Sequence, residues 1–301
     1  MIWEYNILFD KARFYLLKAE EQDSSDATRP LFYSFSLELL CKASLSYIHP
    51  ALIADPQDEG QSLMYSLGLQ HKGQPKSLPS HSIFKRVQQL IEPFLDSHLA
   101  FCEYFSSKRN EELHSGESPM STMKENEWLP KFYGVADVLC TSMKKELEDL
   151  IGSEIISHAI ELISASDKNE EASVKKKIGN HKSVFLDKSD FDQKESIKLA
   201  GQYVNANLHY NTEATVCPSC SAPALIFGTE VLQKEPKYNG EEFYAEVVYQ
   251  THKLICKCCG LELKNQKEIL LANIDIRFVK QVGLDLHDFY HPEQYPEYDN
   301  M

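Results

Sequence analysis

Cys217-Pro218-Ser219-Cys220 and, after 35 intervening residues, Cys256-Lys257-Cys258-Cys259-Gly260 decide how this chain is read. Two thiolates two residues apart can reach one ion from a single tight turn. Two such turns supply the tetrahedral four-sulfur set that structural zinc favours. Gly260 suits the turn after the second pair because it accepts positive φ. The interval between the pairs has room for a β-hairpin. The alternative is a redox pair or free thiols, but a redox Cys-x-x-Cys usually sits in a βαβ context, which is absent here. Cys258 is the spare: it could replace a ligand in a rearranged site, but its one-residue offset from Cys259 points it elsewhere. Cys217, Cys220, Cys256 and Cys259 therefore predict a bound Zn2+ that is structural, because four protein ligands leave no open position for a substrate.

Outward from these turns, the texture of the chain changes twice. From about Asn211 the residues favour strands, as in Val247-Val248-Tyr249 and Leu254-Ile255, with a turn at Lys237-Tyr238-Asn239-Gly240. Upstream, residues 164–183 (SASDKNEEASVKKKIGNHKS) are polar and read as a linker, with one short helix over Gln193 to Val204. Within it, Lys175 to Lys177 is a basic run that fits a solvated linker better than an RNA contact. The first 150 residues read as helices. These run from Ile2 to Glu21, from about Pro30 to Ile48, over His81 to Ile91, from Phe94 to Ser115 with Gly116 and Pro119 as stops, and from Glu125 to Leu150.

Composition bounds the function. The 301 residues are enough for about two domains. The net charge of -14 is shared equally, each half carrying -7, so bulk electrostatics repel nucleic acid and any such contact needs a local basic site. No apolar run reaches the roughly 18 residues that span a bilayer. The N-terminal Met1-Ile2-Trp3-Glu4-Tyr5 lacks the basic-then-apolar pattern of a secretion signal, so the expectation is a cytoplasmic protein without a membrane partner. No nucleotide-binding glycine loop or Gly-x-Ser-x-Gly elbow occurs.

The candidate chemistry lies in Lys108-Arg109-Asn110-Glu111-Glu112-Leu113-His114-Ser115-Gly116, at the end of the strongest interior helix. Arg109 is a permanent cation whose fork matches phosphate. His114 can exchange a proton near neutral pH. Asn110 and His114 are four apart and share a helix face, so Asn110 is placed to orient the imidazole or a phosphate oxygen. Arg109 and His114 are about 140° apart on an ideal helix, which a swung arginine, a frayed helix end or the same segment of a second subunit would reconcile. The bland alternative pairs Arg109 with Glu112 on the helix surface and leaves His114 as a helix C-terminal cation. Glu38 and Lys42, four apart, read as a surface salt bridge or as a carboxylate facing the same cleft. His49, His81 and His98 have no spaced partners and read as structural. The tail from Asp285 to His291 reads as solvated.

Arg109-Asn110-Glu111-Glu112-Leu113-His114 within a helical domain of this length resembles the HEPN superfamily, whose signature is Arg, four to six residues, then His, often with a polar residue after the Arg. Glu38-Leu39-Leu40-Cys41-Lys42 is similar to the second helix of such domains, and the resemblance covers residues 1 to about 150. It implies a metal-independent endoribonuclease with active sites at a homodimer interface, in a family many of whose members are toxins or effectors of antiviral defence. In that reading Arg109, Asn110 and His114 are catalytic. His114 moves the proton of the ribose 2′-OH or of the leaving 5′-oxygen, Arg109 stabilises the phosphorane, and Asn110 positions His114.

The expected fold class is α+β, mainly α. A HEPN-like helical bundle over 1–163 is followed by a polar linker with a short helix over 164–210, then a small β-rich zinc-ribbon domain and tail over 211–301. The expected partners are an RNA substrate, a second copy through the helical domain, and a protein partner or activator through the zinc ribbon. The rival reading is a catalytically silent HEPN-like scaffold whose ribbon is an interaction module in a larger complex.

Overall fold

The computed structural model describes residues 2–240 and 242–284. The tail from Asp285 to His291 lies outside the described residues. The chain is mainly α with a C-terminal antiparallel sheet, and it divides into two compact units, Met1–Asn169 and Glu170–Met301.

The helical unit contains α1 (Tyr5–Glu20), α2 (Thr28–Ile48), α3 (Gln61–Ser66), α4 (Ser80–Leu90), α5 (Asp96–His114), α6 (Glu125–Ser142) and α7 (Leu147–Ile151), and it ends inside α8 (Ile156–Leu186). α2 is the central element. Tyr33, Leu37, Leu40, Cys41, Ala43 and Leu45 are all buried, and small buried residues among them, such as Ser36 and Ser44, let neighbours approach. The turn-wise spacing of Leu8, Ala12, Leu16 and Ala19 buries one stripe of α1. Ile83, Phe84 and Val87 do the same for α4. An aromatic run joins α2, α5 and α6. Tyr33 meets Trp128 at 4.9 Å and Phe132 at 4.6 Å, and Trp128 stacks on Phe105 at 5.4 Å. This packing fixes where the C-terminal half of α5 emerges. Arg29, buried at the start of α2, adds a polar tie. It donates to Glu125 at 2.9 Å and to the Ala19 carbonyl at 2.9 Å, and it pairs with Glu20 at 3.1 Å. Two of the expected structural histidines cap elements: His49 Nδ1 accepts from the Ala51 N–H at 3.1 Å, and His98 Nδ1 from the Leu95 N–H at 3.1 Å.

Two sequence expectations change here. The helix expected over Glu125 to Leu150 stops at Ser142 and resumes as α7. Lys144 adopts φ of 57°, and the Lys145 N–H closes back on the Cys140 carbonyl at 3.0 Å. This is a left-handed helix stop in which lysine takes the place usually held by glycine, so the sequence carries no signal for it.

The polar stretch 164–183 is not a linker but part of α8, and the division between the units falls at 169/170. Few apolar residues suffice because they recur on one stripe. Val174 is buried, and Ile178 and Phe185, about one and three turns further on, pack against the second core. The stretch lacks proline, and its commonest residue is lysine, which favours helix. The basic run is likewise paired, Lys175 with Glu171 and Lys177 with Glu268 at 3.0 Å.

The second unit continues through α9 (Asp190–Ala206), which extends the short helix expected over Gln193 to Val204, into β1 (Thr212–Val216), β2 (Pro223–Gln233), β3 (Lys237–Tyr238), β4 (Phe243–Ile255), β5 (Glu262–Leu263), α10 (Gln266–Leu271) and β6 (Arg277–Gly283). β4 is the hub, pairing antiparallel with β2, β3, β5 and β6. Val247 to Gln250 pair with both β2 and β6, so those two strands lie on opposite edges of β4 and the main path is β1-β2-β4-β6. The sheet is strongly bent at β2, where the register shifts at Phe227/Gly228 and at Glu230/Leu232. A Cβ on Gly228 would lie 2.7 Å from the Phe278 ring and 2.7 Å from Tyr249 Cβ. Only glycine admits that approach.

Candidate active site and metal centre

Arg109 leaves α5 into a knot of polar side chains drawn from three helices. Its Nη1 donates to Glu38 of α2 and its Nη2 to Ser80 of α4 and Ser106 of α5, both at 3.3 Å. Nη2 and Nε also reach Asn110 Oδ1, at 3.1 and 3.3 Å. Glu38 in turn accepts from Lys42 Nζ at 2.8 Å and from the Ser80 hydroxyl at 2.6 Å. The Glu38 and Arg109 side chains are only 18% and 13% exposed. Burial alone would raise the Glu38 carboxyl. The nearby Lys42 charge and the hydrogen bonds from Lys42, Ser80 and Arg109 outweigh it and hold the group down at about 2. Glu38 is thus a fixed anion carrying two cations, Lys42 and Arg109.

His114 is the last residue of α5 and is exposed. It makes no side-chain hydrogen bond among the described residues. The structure therefore brings together Arg109 and Asn110 but not His114. The Asn110 oxygen accepts from Arg109 instead of orienting the imidazole. Nor does Arg109 pair with Glu112. Glu111 binds Lys108 at 2.8 Å, and Glu112 accepts the Met120 N–H at 3.1 Å. The Glu38–Lys42 pair is half-buried and belongs to the arginine network rather than to a solvated face. Ser80 and Ser106 were not legible. Ser106 is one turn before Arg109, but nothing in its surroundings marks it, and Ser80 reaches the site only because α4 packs beside α2.

Cys217, Cys220, Cys256 and Cys259 form a single cluster whose sulfur atoms all lie within 4.8 Å of one another, an arrangement that could bind a metal ion. Cys217 and Cys259 sulfurs are 3.6 Å apart, as are those of Cys220 and Cys256. The edge of a tetrahedron with metal–sulfur bonds of about 2.3 Å is about 3.8 Å, so the donors fit such an ion. The two turns are built alike. In the first, the Ser221 N–H bonds the Cys217 carbonyl at 3.0 Å and the Cys217 N–H bonds the Ala222 carbonyl at 2.9 Å. In the second, Gly260 and Cys256 repeat both bonds, at 3.0 Å to Cys256 and 2.9 Å to Leu261. Each turn is followed by a left-handed residue, Gly260 at φ 77° and Ser221 at φ 60°. Burial and the proximity of Cys256 push the Cys220 thiol up. Cys258 is buried but outside the cluster.

The C-terminal part of α8 and the turn after it brace the second knuckle. His181 Nδ1 lies 2.8 Å from the Cys259 carbonyl, and Lys188 Nζ donates to the Cys258 carbonyl at 2.8 Å. On the first knuckle, the Ser219 hydroxyl donates to the Ile178 carbonyl at 2.9 Å. Sequence reading missed these supports because it placed 164–183 in a linker.

No protein-family model matches the chain, and no curated protein or solved structure matches it. Among the described residues, no helix is long and apolar enough to cross a membrane.

Proposed function

We propose that the helical unit is a metal-independent endoribonuclease of the HEPN type, a toxin or effector of antiviral defence. The supporting observation is the end of α5, where Arg109 is held by Glu38, Ser80, Ser106 and Asn110 while His114, five residues on, presents an unpartnered imidazole. A guanidinium fixed on several acceptors is pre-oriented for phosphate, and an exposed imidazole is accessible for proton transfer.

In this reading the RNA's own 2′-OH attacks the adjacent phosphorus, and the P–O5′ bond breaks. His114 takes the 2′-OH proton or protonates the leaving 5′-oxygen. Arg109 stabilises the charge on the non-bridging oxygens. The products are a 2′,3′-cyclic phosphate and a 5′-hydroxyl, and DNA, lacking the nucleophile, is not cut. A second copy, packed through the helical unit, contributes its own Arg109 and His114 to a shared cleft.

The four cysteines hold zinc in this reading. The ion supplies folding energy to the second unit, and its closed ligand set keeps it out of the reaction. The second unit then engages a protein partner or activator.

The test is cleavage of labelled single-stranded RNA by the purified chain and by His114→Ala, without added divalent metal. Cleavage by the wild type that falls by at least a hundredfold in the variant supports the reading; equal cleavage by both sinks the assignment of His114. One observation favours the rival scaffold reading: Arg109 is already engaged by Glu38 within the protein. Absence of cleavage by either protein gives that reading precedence.

A further inference from the structure

The bend at β2 brings the two outer edges of the sheet to one groove in the second unit. Its volume is about 750 Å3, and its walls include Ala214 and Val216 of β1 on one side and Phe278 and Val279 of β6 on the other, with Ile226 and Ile274 also lining it. Such a volume falls within the range of ligand sites. The Glu213–Lys280 ion pair, at 3.6 Å, links the two strands by side chains alone. Among the described residues, β1 pairs only with β2 and β6 only with β4.

The ladders fix which main-chain groups face the groove. In an antiparallel pair, hydrogen-bonded residues alternate with residues whose N–H and C=O point outward. The Gly228 N–H bonds the Asn211 carbonyl and the Cys217 N–H bonds the Ala222 carbonyl, so odd-numbered positions of β1 face β2. Ala214 and Val216 therefore turn their main-chain groups away from the sheet. On β6, the Thr251 N–H bonds the Ile276 carbonyl and the Leu284 N–H bonds the Phe243 carbonyl, so even positions face β4 and Val279 turns outward. The exposed side chains of Val216 and Val279 add apolar surface beside these free polar rows.

We propose that this groove takes an extended segment of a partner protein as an added β-strand, hydrogen-bonded to the outer edges of β1 and β6. Free main-chain donors and acceptors in a row specify an extended backbone, and the flanking valines specify apolar or β-branched side chains at alternate positions of the segment. The nearby charges are balanced, Glu213 and Asp275 against Arg277 and Lys280, which suits a peptide better than the phosphates of RNA. This inference does not depend on the ribonuclease reading.

The probe is a displayed library of linear 12-residue peptides selected on the full chain. Enriched peptides are then synthesised with and without N-methyl groups on alternate amides, and binding is measured by fluorescence anisotropy on wild type and Ala214→Pro. Proline at 214 deletes an outward N–H and leaves the β1–β2 bonds at 213 and 215 in place. The expected result is enrichment of peptides with alternating apolar residues. Their affinity should fall at least tenfold on one of the two alternate N-methylation patterns and at least tenfold on Ala214→Pro. The proposal is overturned by failure to enrich, or by peptides that tolerate both N-methyl patterns. Competition by a synthetic 285–301 peptide reassigns the groove to the chain's own end. Competition by single-stranded RNA reassigns it to nucleic acid, and self-association abolished by Ala214→Pro reassigns it to a second copy; each of these overturns the partner proposal. If Ala214→Pro fails to fold, the N-methyl series decides alone.

Discussion

Glu38→Gln removes the one anion that serves both Arg109 and Lys42, and its cost can be worked from the structure. The Glu38 carboxyl lies at about 2 in the folded protein against 4.5 ordinarily. At 1.36 kcal/mol per pH unit this corresponds to about 3 kcal/mol. With side chains less than a fifth exposed, solvent screens little of it. The sign follows from linkage. The folded pKa is depressed, so the stabilisation is fully present above about pH 4.5, declines as pH falls, and is gone below about 2. The variant should therefore be less stable than the wild type by about 2–3 kcal/mol at pH 7, and by less than half of that at pH 3. Both tryptophans, Trp3 and Trp128, are buried in the core of the helical unit. Urea unfolding followed by tryptophan fluorescence thus reports that unit without interference from the other. Comparing the two proteins at each pH cancels the titration of the remaining carboxylates. A difference below about 1 kcal/mol at pH 7, or the same difference at both pH values, would refute the view of Glu38 as an anion fixed by two cations.

Two further outcomes are expected of the second unit. On the proposed reading of the four cysteines as a metal site, a chelator should abolish the amide-exchange protection of this unit while leaving tryptophan fluorescence unchanged; Cys217→Ser and Cys259→Ser should lose the metal and Cys258→Ser should retain it, with metal content read by mass spectrometry. Retention should also weaken as pH is lowered, because protons compete for the four thiolates. Gly228→Ala places a Cβ 2.7 Å from both the Phe278 ring and Tyr249 Cβ. It should destabilise the second unit by about 1–3 kcal/mol, an overpacking cost, seen as a lowered urea midpoint in amide exchange; an unchanged midpoint would mean that the bend does not need glycine.

The longer helices of the first unit, α1, α2, α4, α5 and α6, were legible because apolar residues recur at helical spacing, as Leu8, Ala12, Leu16 and Ala19 do on α1, whereas the short α3 and the separate α7 were not. The four-cysteine cluster was legible because a Cys-x-x-Cys turn is a local object: its two thiols, its return hydrogen bonds and its left-handed residue all fall within six positions. Residues 164–183 were misread for the opposite reason. Their composition is that of a solvated segment, and three or four residues of one stripe, Val174, Ile178 and Phe185 among them, are enough to dock a helix whose other faces stay in water. Lys144 shows the same limit at a single residue, since a lysine in left-handed conformation ends α6 without any glycine to announce it.

Spacing along the chain was enough to place helices before strands, to single out the four clustered cysteines and to put Arg109, Asn110 and His114 near one helix end. Each of these is a matter of spacing along the chain, which 3.6-residue turns and tight loops convert directly into geometry. The packing of α2 beside α5 is what gives Arg109 to Glu38, 71 residues away, rather than to Glu112 near it in the chain. Tertiary packing likewise brings the outer edges of β1 and β6 to one groove. An ion pair across helices and the bend of a sheet arise from how cores pack, as in the approach of Phe278 over Gly228. Packing joins residues that no local period relates.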